Sequence, residues 1–192
     1  MAAGKNAVSA LLEKNGFVSL DADLLVHKAI DSLTEEIKAA FSREAKESGI
    51  SIQNADGSIN RKALGSLIFP HPELLKRQEN LVYPKILEMT KDFINQSENS
   101  GKNIILNATV LYKTPDLMVL CEKIVFVDAP LLTRLRRAKK RDSLPSKKIL
   151  ERFRTQRTLF SEYKKTGIPI IKIRNTGSLK SLEKKLSKKK LF

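Results

Sequence analysis

Met1-Ala2-Ala3-Gly4-Lys5-Asn6-Ala7-Val8 opens the chain, and a helical pattern follows it, with Val8, Leu11 and Leu12 on one face and Gly16 past the end. The octet matches the second half of the phosphate-loop pattern G-x-x-x-x-G-K-[ST]. Each residue type has a physical reason. Glycine lets main-chain N–H groups approach phosphate oxygens, lysine adds a point charge at the β- and γ-phosphates, and the helix presents its positive end. The stretch predicts a nucleotide-dependent phosphoryl-transfer enzyme in which Ala2, Ala3, Gly4, Lys5, Asn6 and Ala7 contact ATP. The first glycine of the pattern falls two positions upstream of Met1. Asn6 stands where a Ser or Thr would ligate Mg²⁺, and its amide oxygen is the candidate metal donor. The strand that precedes such a loop is missing, so the natural chain is expected to begin roughly ten residues earlier, a strand's length.

Outward from the loop, short apolar runs alternate with helical patterns. Phe17–Leu20 reads as a strand ending in Asp21-Ala22-Asp23, and Leu24 to Glu47 as largely helical, with apolar residues Leu25, Ala29, Ile30, Leu33, Ile37 and Phe41. Asn54–Ser58 is a turn cluster, Arg61–Phe69 and Pro72–Asn95 are helices, and Pro84 marks a break or kink. Ile104–Leu106 and Lys123–Val127 are strands, Leu131–Asp142 and about Lys147–Lys164 are basic helices separated at Leu144-Pro145-Ser146, and Ile168–Ile173 is the last strand before Asn175-Thr176-Gly177-Ser178 opens a final helix. The alternation predicts an α/β fold with a parallel sheet flanked by helices.

The 192 residues are 41% hydrophobic and 30% charged, ordinary for a globular domain, and hold no apolar run long enough to span a membrane. No charged segment precedes a long apolar stretch at the N-terminus, so no secretory signal is read. One cysteine, Cys121, makes no internal disulfide, which fits a reducing cytoplasm. His27 and His71 lack partners at metal-ligand spacing and read as structural or surface residues. The net charge of +15 is uneven: residues 1–100 carry 12 Lys/Arg against 14 Asp/Glu, and the remainder carries 24 against 7. A basic half implies polyanionic partners such as nucleotide phosphates, nucleic acid or acidic lipid.

Arg134 to Lys165 concentrates that charge, with 13 Lys/Arg and 3 Asp/Glu. Arg134, Arg137 and Arg141 share one helix face, as do Lys148 and Arg152 on the next, which suits a lid closing over a triphosphate. Few aromatic residues interleave these charges, Phe153 and Phe160 among them, and that speaks against nucleic acid as the partner. Asp21 and Asp23, two residues apart after a strand, point toward the sheet edge where ligands of open α/β sheets bind. A carboxylate there takes a proton from an attacking hydroxyl or helps hold Mg²⁺. Asp23 also reads as the N-cap of the helix that follows.

In this order the residues resemble the dephospho-CoA kinase family. Gly4-Lys5 sits at its G-K-[ST], and Leu20-Asp21-Ala22-Asp23 is similar to its I-D-A-D. Asp56-Gly57-Ser58-Ile59-Asn60-Arg61 through Ile68-Phe69 is the most specific match, to D-G-x-[IL]-[DN]-R-x-x-L…[IV]-F. Leu135-Arg136-Arg137 through Arg141-Asp142 looks like its lid pattern L-x-R-x-x-x-R-D. Arg152 and Gln156 match R-x-x-x-Q, and Asn175-Thr176-Gly177-Ser178 matches N-x-G-S. The chain departs from the family at Asn6, at Asn107-Ala108-Thr109-Val110-Leu111-Tyr112-Lys113 in place of D-x-P-L-L-[FY]-E, and at Tyr83-Pro84 in place of His-Pro.

The resemblance implies a P-loop NTPase-type fold and transfer of the γ-phosphoryl group of ATP, with Mg²⁺, to the 3′-hydroxyl of dephospho-CoA in the cytoplasm, giving coenzyme A. It makes Asp23 the base and Lys5, Arg137 and Arg141 its catalytic companions. Asn175, Gly177 and Arg141 join the ATP site, and Asp23, Arg61 and Tyr83 the acceptor site. It divides the chain into a nucleotide core (1–23, 96–130 and 166–192), a helical acceptor region (24–95) and a lid (131–165). Arg61 is expected to meet a phosphate or a carboxylate. Two other readings stay open: a non-catalytic relative that binds nucleotide or RNA, favoured by Asn6, Asn107 and Lys113, and another small-molecule kinase with the same loop.

Overall fold

The computed structural model describes every residue except Asn99, Ser143 and Leu144, and leaves the side chain of Asp142 undescribed. The expected separator at Leu144, the acidic half of the Arg141-Asp142 pair and the first residue of the loop at 99–103 therefore lie outside the described residues. The chain forms two compact units, residues 1–19 with 97–192, and residues 20–96.

The first unit is α/β. Its elements are α1 (Lys5–Glu13), the start of β1 (Val18–Asp21), β2 (Ile104–Asn107), a 3₁₀ turn (Leu111–Lys113), and α2 (Pro115–Met118). They continue through β3 (Ile124–Asp128), α3 (Leu131–Asp142), α4 (Ser146–Thr155), α5 (Leu159–Lys165), β4 (Ile170–Arg174) and α6 (Leu179–Lys188). β1 pairs with β2, the Val18 N–H donating to the Asn103 carbonyl at 2.9 Å. β3 and β4 pair in parallel, Ile124 opposite Ile170 through Asp128 opposite Arg174. The single expected sheet is thus two pairs. One apolar cluster serves both: Val8, Leu11 and Leu12 of α1 meet Ile173, Leu182, Leu186 and Leu191, with Ile105 of β2 and Val125 and Val127 of β3 against them. Leu182 and Leu186 lie one helical turn apart, so α6 buries one face and leaves Lys180, Lys184 and Lys188 outside, while Lys185 turns back to the Arg174 carbonyl.

The basic segment contains three helices. α3 and α4 meet through Ala138, Ile149 and Phe153, with Leu135, Met1 and Ala2 alongside. The expected second basic helix stops at Thr155 and resumes at Leu159, its connection closed by N–H groups of Gln156 and Arg157 donating to the carbonyls of Phe153 and Arg154. These i to i−3 bonds end a helix without glycine or proline.

The second unit is helical: α7 (Ala22–Ser32), α8 (Thr34–Glu47), α9 (Arg61–Ile68) and α10 (Pro72–Glu98), with α10 running out of the unit after Gln96. The largely helical stretch expected from Leu24 to Glu47 is two helices that meet at Leu33. Pro84 sits inside α10 without ending it. A bridge between Gln53 and Ile59 closes the turn at Asn54–Ser58, and Asp56 accepts the N–H and hydroxyl of Ser58, which hold its carboxyl below the usual range. Arg77 ties α10 to α8: it donates to the Ala40 carbonyl and to Glu44 at 2.7 Å, and stands over the Phe41 ring. Phe41 is 0% exposed. Phe41→Ala is expected to cost about 3–5 kcal/mol by removing a fully buried ring, read as a lower urea midpoint with an unchanged slope.

Candidate active site

The loop that opens α1 is held by side chains from far along the chain. Ala2 (φ 56°) and Gly4 (φ 104°) both take left-handed backbone. The main-chain N–H groups of Ala3, Gly4, Lys5 and Asn6 donate to none of the described residues. The carbonyls of Met1, Ala3 and Gly4, in contrast, are engaged, the last by the Val8 N–H at 3.1 Å. Arg134 Nε donates to the Met1 carbonyl at 3.0 Å and Asn175 Nδ2 to the Ala3 carbonyl at 2.9 Å. Arg137 Nη1 lies 3.4 Å from the Ala3 carbonyl. A loop with its carbonyls tied back and its N–H groups open, at the positive end of a helix, is a concavity built for an anion.

Three cations meet it. Lys5 is half-buried, its Nζ donating to the Asn107 carbonyl at the end of β2 at 3.2 Å. Arg134 stacks 4.4 Å from the centre of the Phe153 ring, and burial pulls its pKa down against the raising effect of Asp128. Arg137 reaches the Asn175 main-chain and side-chain oxygens, both at 3.4 Å. Burial first, then the charges of Arg134, Arg141 and Lys5, lower the Met1 amine to about 6. Sequence spacing placed Arg134 on the lid face. Its hold on the loop had no sequence signal, because the partner is a main-chain carbonyl 133 positions away.

Asn175 is 5% exposed, its N–H donating to the Asp128 carbonyl at 2.7 Å, so the residue after β4 is fixed to the end of β3 and its side chain aims at the loop. Gly177 belongs to the turn ahead of α6, where a Cβ would meet Ser181. Asn175→Ala is expected to weaken ATP binding about tenfold, since it strips one hydrogen bond from the loop and one partner from Arg137; calorimetric titration measures it. Asn6 is exposed, and its Oδ1 accepts from Asn107 Nδ2 at 3.4 Å. Among the described residues no group of three or more His, Cys, Asp or Glu gathers as a metal site. An exposed amide oxygen beside an anion loop fits Mg²⁺ in the mode where phosphates and water fill most of its shell.

The second unit places the remaining candidates. Asp21, not Asp23, caps α7: its Oδ1 accepts from the N–H groups of Asp23 at 2.9 Å and Leu24 at 3.3 Å. The helix begins one residue after Asp21, so the capping position is Asp21, and Asp23 falls in the first turn. The exposed Asp23 carboxylate takes no hydrogen bond or ion pair among the described residues. Arg61, at the start of α9, pairs with Asp31 at 2.7 Å, which supplies a carboxylate to the guanidinium expected to meet one or a phosphate. Tyr83 donates to Glu79 at 3.0 Å, and burial followed by that hydrogen bond pushes its phenol up to about 12.

Comparison with known proteins gives the family of the chain. The family model of dephospho-CoA kinase matches residues 1–180. The dephospho-CoA kinase of Treponema denticola is 39% identical over 95% of this chain and 82% of its own length. That of Thermus thermophilus is 31% identical over 95% and 83%. A crystal structure from Thermus thermophilus covers 100% of this chain and 92% of its own with a TM-score of 0.80 at 28% identity. The dephospho-CoA kinase structure from Campylobacter jejuni, at 24% identity and a TM-score of 0.65 over 100% of this chain and 92% of its own, adds a likeness of fold. The loop before α1, the aspartates Asp21 and Asp23 and the basic helices therefore lie in a chain that belongs to the dephospho-CoA kinase family.

Proposed function

We propose that this chain transfers the γ-phosphoryl group of ATP to the 3′-hydroxyl of dephospho-CoA, forming coenzyme A and ADP. The observation that carries the reading is the loop Ala3–Asn6, with its N–H groups open and Lys5, Arg134 and Arg137 around it. The N–H groups and Lys5 hold the β- and γ-phosphates. Arg137 serves two ends: it braces the Ala3 carbonyl and keeps its charge beside the transferring group, where Arg141 adds a second. Asp23 accepts the proton of the attacking hydroxyl, which its open carboxylate leaves it able to do. Arg61, with Asp31 fixing its direction, and Tyr83 serve the acceptor. Asn6 is the chain's own oxygen donor for Mg²⁺, which when bound with the nucleotide neutralises charge on the β- and γ-phosphates.

ADP release tests the reading. With Mg-ATP present, dephospho-CoA is expected to raise ADP formation at least tenfold, while nucleosides and RNA leave it at background. Equal rates with nucleosides, or tight salt-dependent RNA binding without ADP formation, would overturn it.

A further inference from the structure

We infer that the Tyr163 hydroxyl is a positioning group for the reaction, acting through the segment that leaves β2; the inference rests on the kinase reading above. Tyr163 is 7% exposed, on α5. Its hydroxyl accepts the Leu111 N–H at 3.0 Å and donates to the Thr109 carbonyl at 3.2 Å. One hydroxyl thus satisfies both a donor and an acceptor of the main chain between residues 109 and 111. No secondary-structure ladder serves those two groups. The ring is itself fixed, edge-on to Tyr112 at 5.4 Å and to Phe126 of β3 at 6.2 Å. Phe160, one turn earlier on α5, packs edge-on against the same Phe126 at 4.9 Å. The hydroxyl is therefore held by a rigid aromatic group, and the segment is held by the hydroxyl.

The pinned segment begins two residues after Asn107, whose carbonyl receives Lys5 Nζ and whose amide meets Asn6. Loosening residues 109–111 frees the end of β2 and with it the carbonyl that orients the Lys5 ammonium. Lys5 acts on the transferring phosphoryl group, so its misplacement falls on the chemical step, where a shift of about 1 Å costs up to about 100-fold. Tyr163 touches no reacting atom, and its role is to position.

Tyr163→Phe keeps the ring and removes only the hydroxyl. Turnover is expected to fall about tenfold in kcat, with KM for ATP within about twofold, at a temperature well below the melting transition of both proteins. Amide exchange of the 108–113 segment, followed in the same samples, is expected to speed up in the variant. A fall in kcat together with faster exchange supports the inference. An unchanged kcat overturns it whatever the exchange shows, because the hydroxyl is then structural only. A fall in kcat with unchanged exchange also overturns it, because the loss does not travel through the segment. Wild-type chain that forms no coenzyme A overturns the kinase reading and this inference with it, whereas active wild type with equally active Tyr163→Phe overturns the inference alone.

Discussion

Asp23→Asn is expected to lower kcat by about 10³-fold while the melting temperature stays where it is. The substitution keeps the size and the position of the side chain and removes the ability to take a proton. Its lack of structural effect follows from the capping arrangement. Asp21 supplies the side-chain oxygen that the first N–H groups of α7 need, and Asp23 contributes no hydrogen bond or ion pair from its carboxylate among the described residues. Asp21→Ala is the contrasting change: it removes the cap and costs about 1 kcal/mol of stability. Steady-state rates and thermal melts of the two variants, measured side by side, separate the roles. An Asp23→Asn protein within tenfold of wild-type kcat would remove Asp23 from the chemistry.

Gly4→Ala is expected to weaken ATP binding at least 30-fold and to lower the melting temperature by several degrees. Two effects add. Gly4 has φ 104°, where an L side chain costs about 1–2 kcal/mol. A Cβ at this position would stand 2.1 Å from Asn175 Nδ2, with Arg137 Nη1 at 3.9 Å behind it. Asn175 cannot yield easily, because its main chain is bonded to Asp128 and its side chain is buried. The loop must move instead, and the Ala3 carbonyl leaves Asn175 as it does. Gly16→Ala is the control. Gly16 also has positive φ, at 89°, but a Cβ there meets nothing within 4 Å, so only the backbone cost applies and ATP binding is unchanged. Calorimetry of ATP binding and of melting for both variants distinguishes strain alone from strain plus collision.

The α/β alternation was readable because α1, β2 and β3 carry their apolar residues at helical or strand spacing, and those residues form the core. The break at Leu33 was hidden because Ala29, Ile30, Leu33 and Ile37 continue a helical phase through it. The interruption is made locally, the Ser32 hydroxyl donating to the Ala29 carbonyl and the Thr34 hydroxyl to that of Asp31. The 3₁₀ turn at Leu111–Lys113 and the four-residue α2 are too short for any periodicity to register. At the site, the loop, Lys5 and the aspartate pair were legible because spacing along the chain specifies them. The capping exchange between Asp21 and Asp23 was not, since it turns on where α7 begins, and helix boundaries are the least determined feature of a sequence. Arg134, the bracing contacts of Arg137, and Tyr163 were invisible for a different reason. Each acts on a main-chain group 52 or more residues away, and no pattern in the sequence marks a main-chain partner.

The position of the transferred phosphate decides whether this chain makes coenzyme A. Purified chain is incubated with Mg-ATP and dephospho-CoA, and the product is examined by mass spectrometry with fragmentation and by phosphorus NMR. The expected product is coenzyme A carrying a new monoester on the ribose 3′-oxygen, formed by the wild type and about 10³-fold more slowly by Asp23→Asn. Folded wild-type chain that leaves dephospho-CoA unmodified, or that places the phosphate elsewhere, would contradict it.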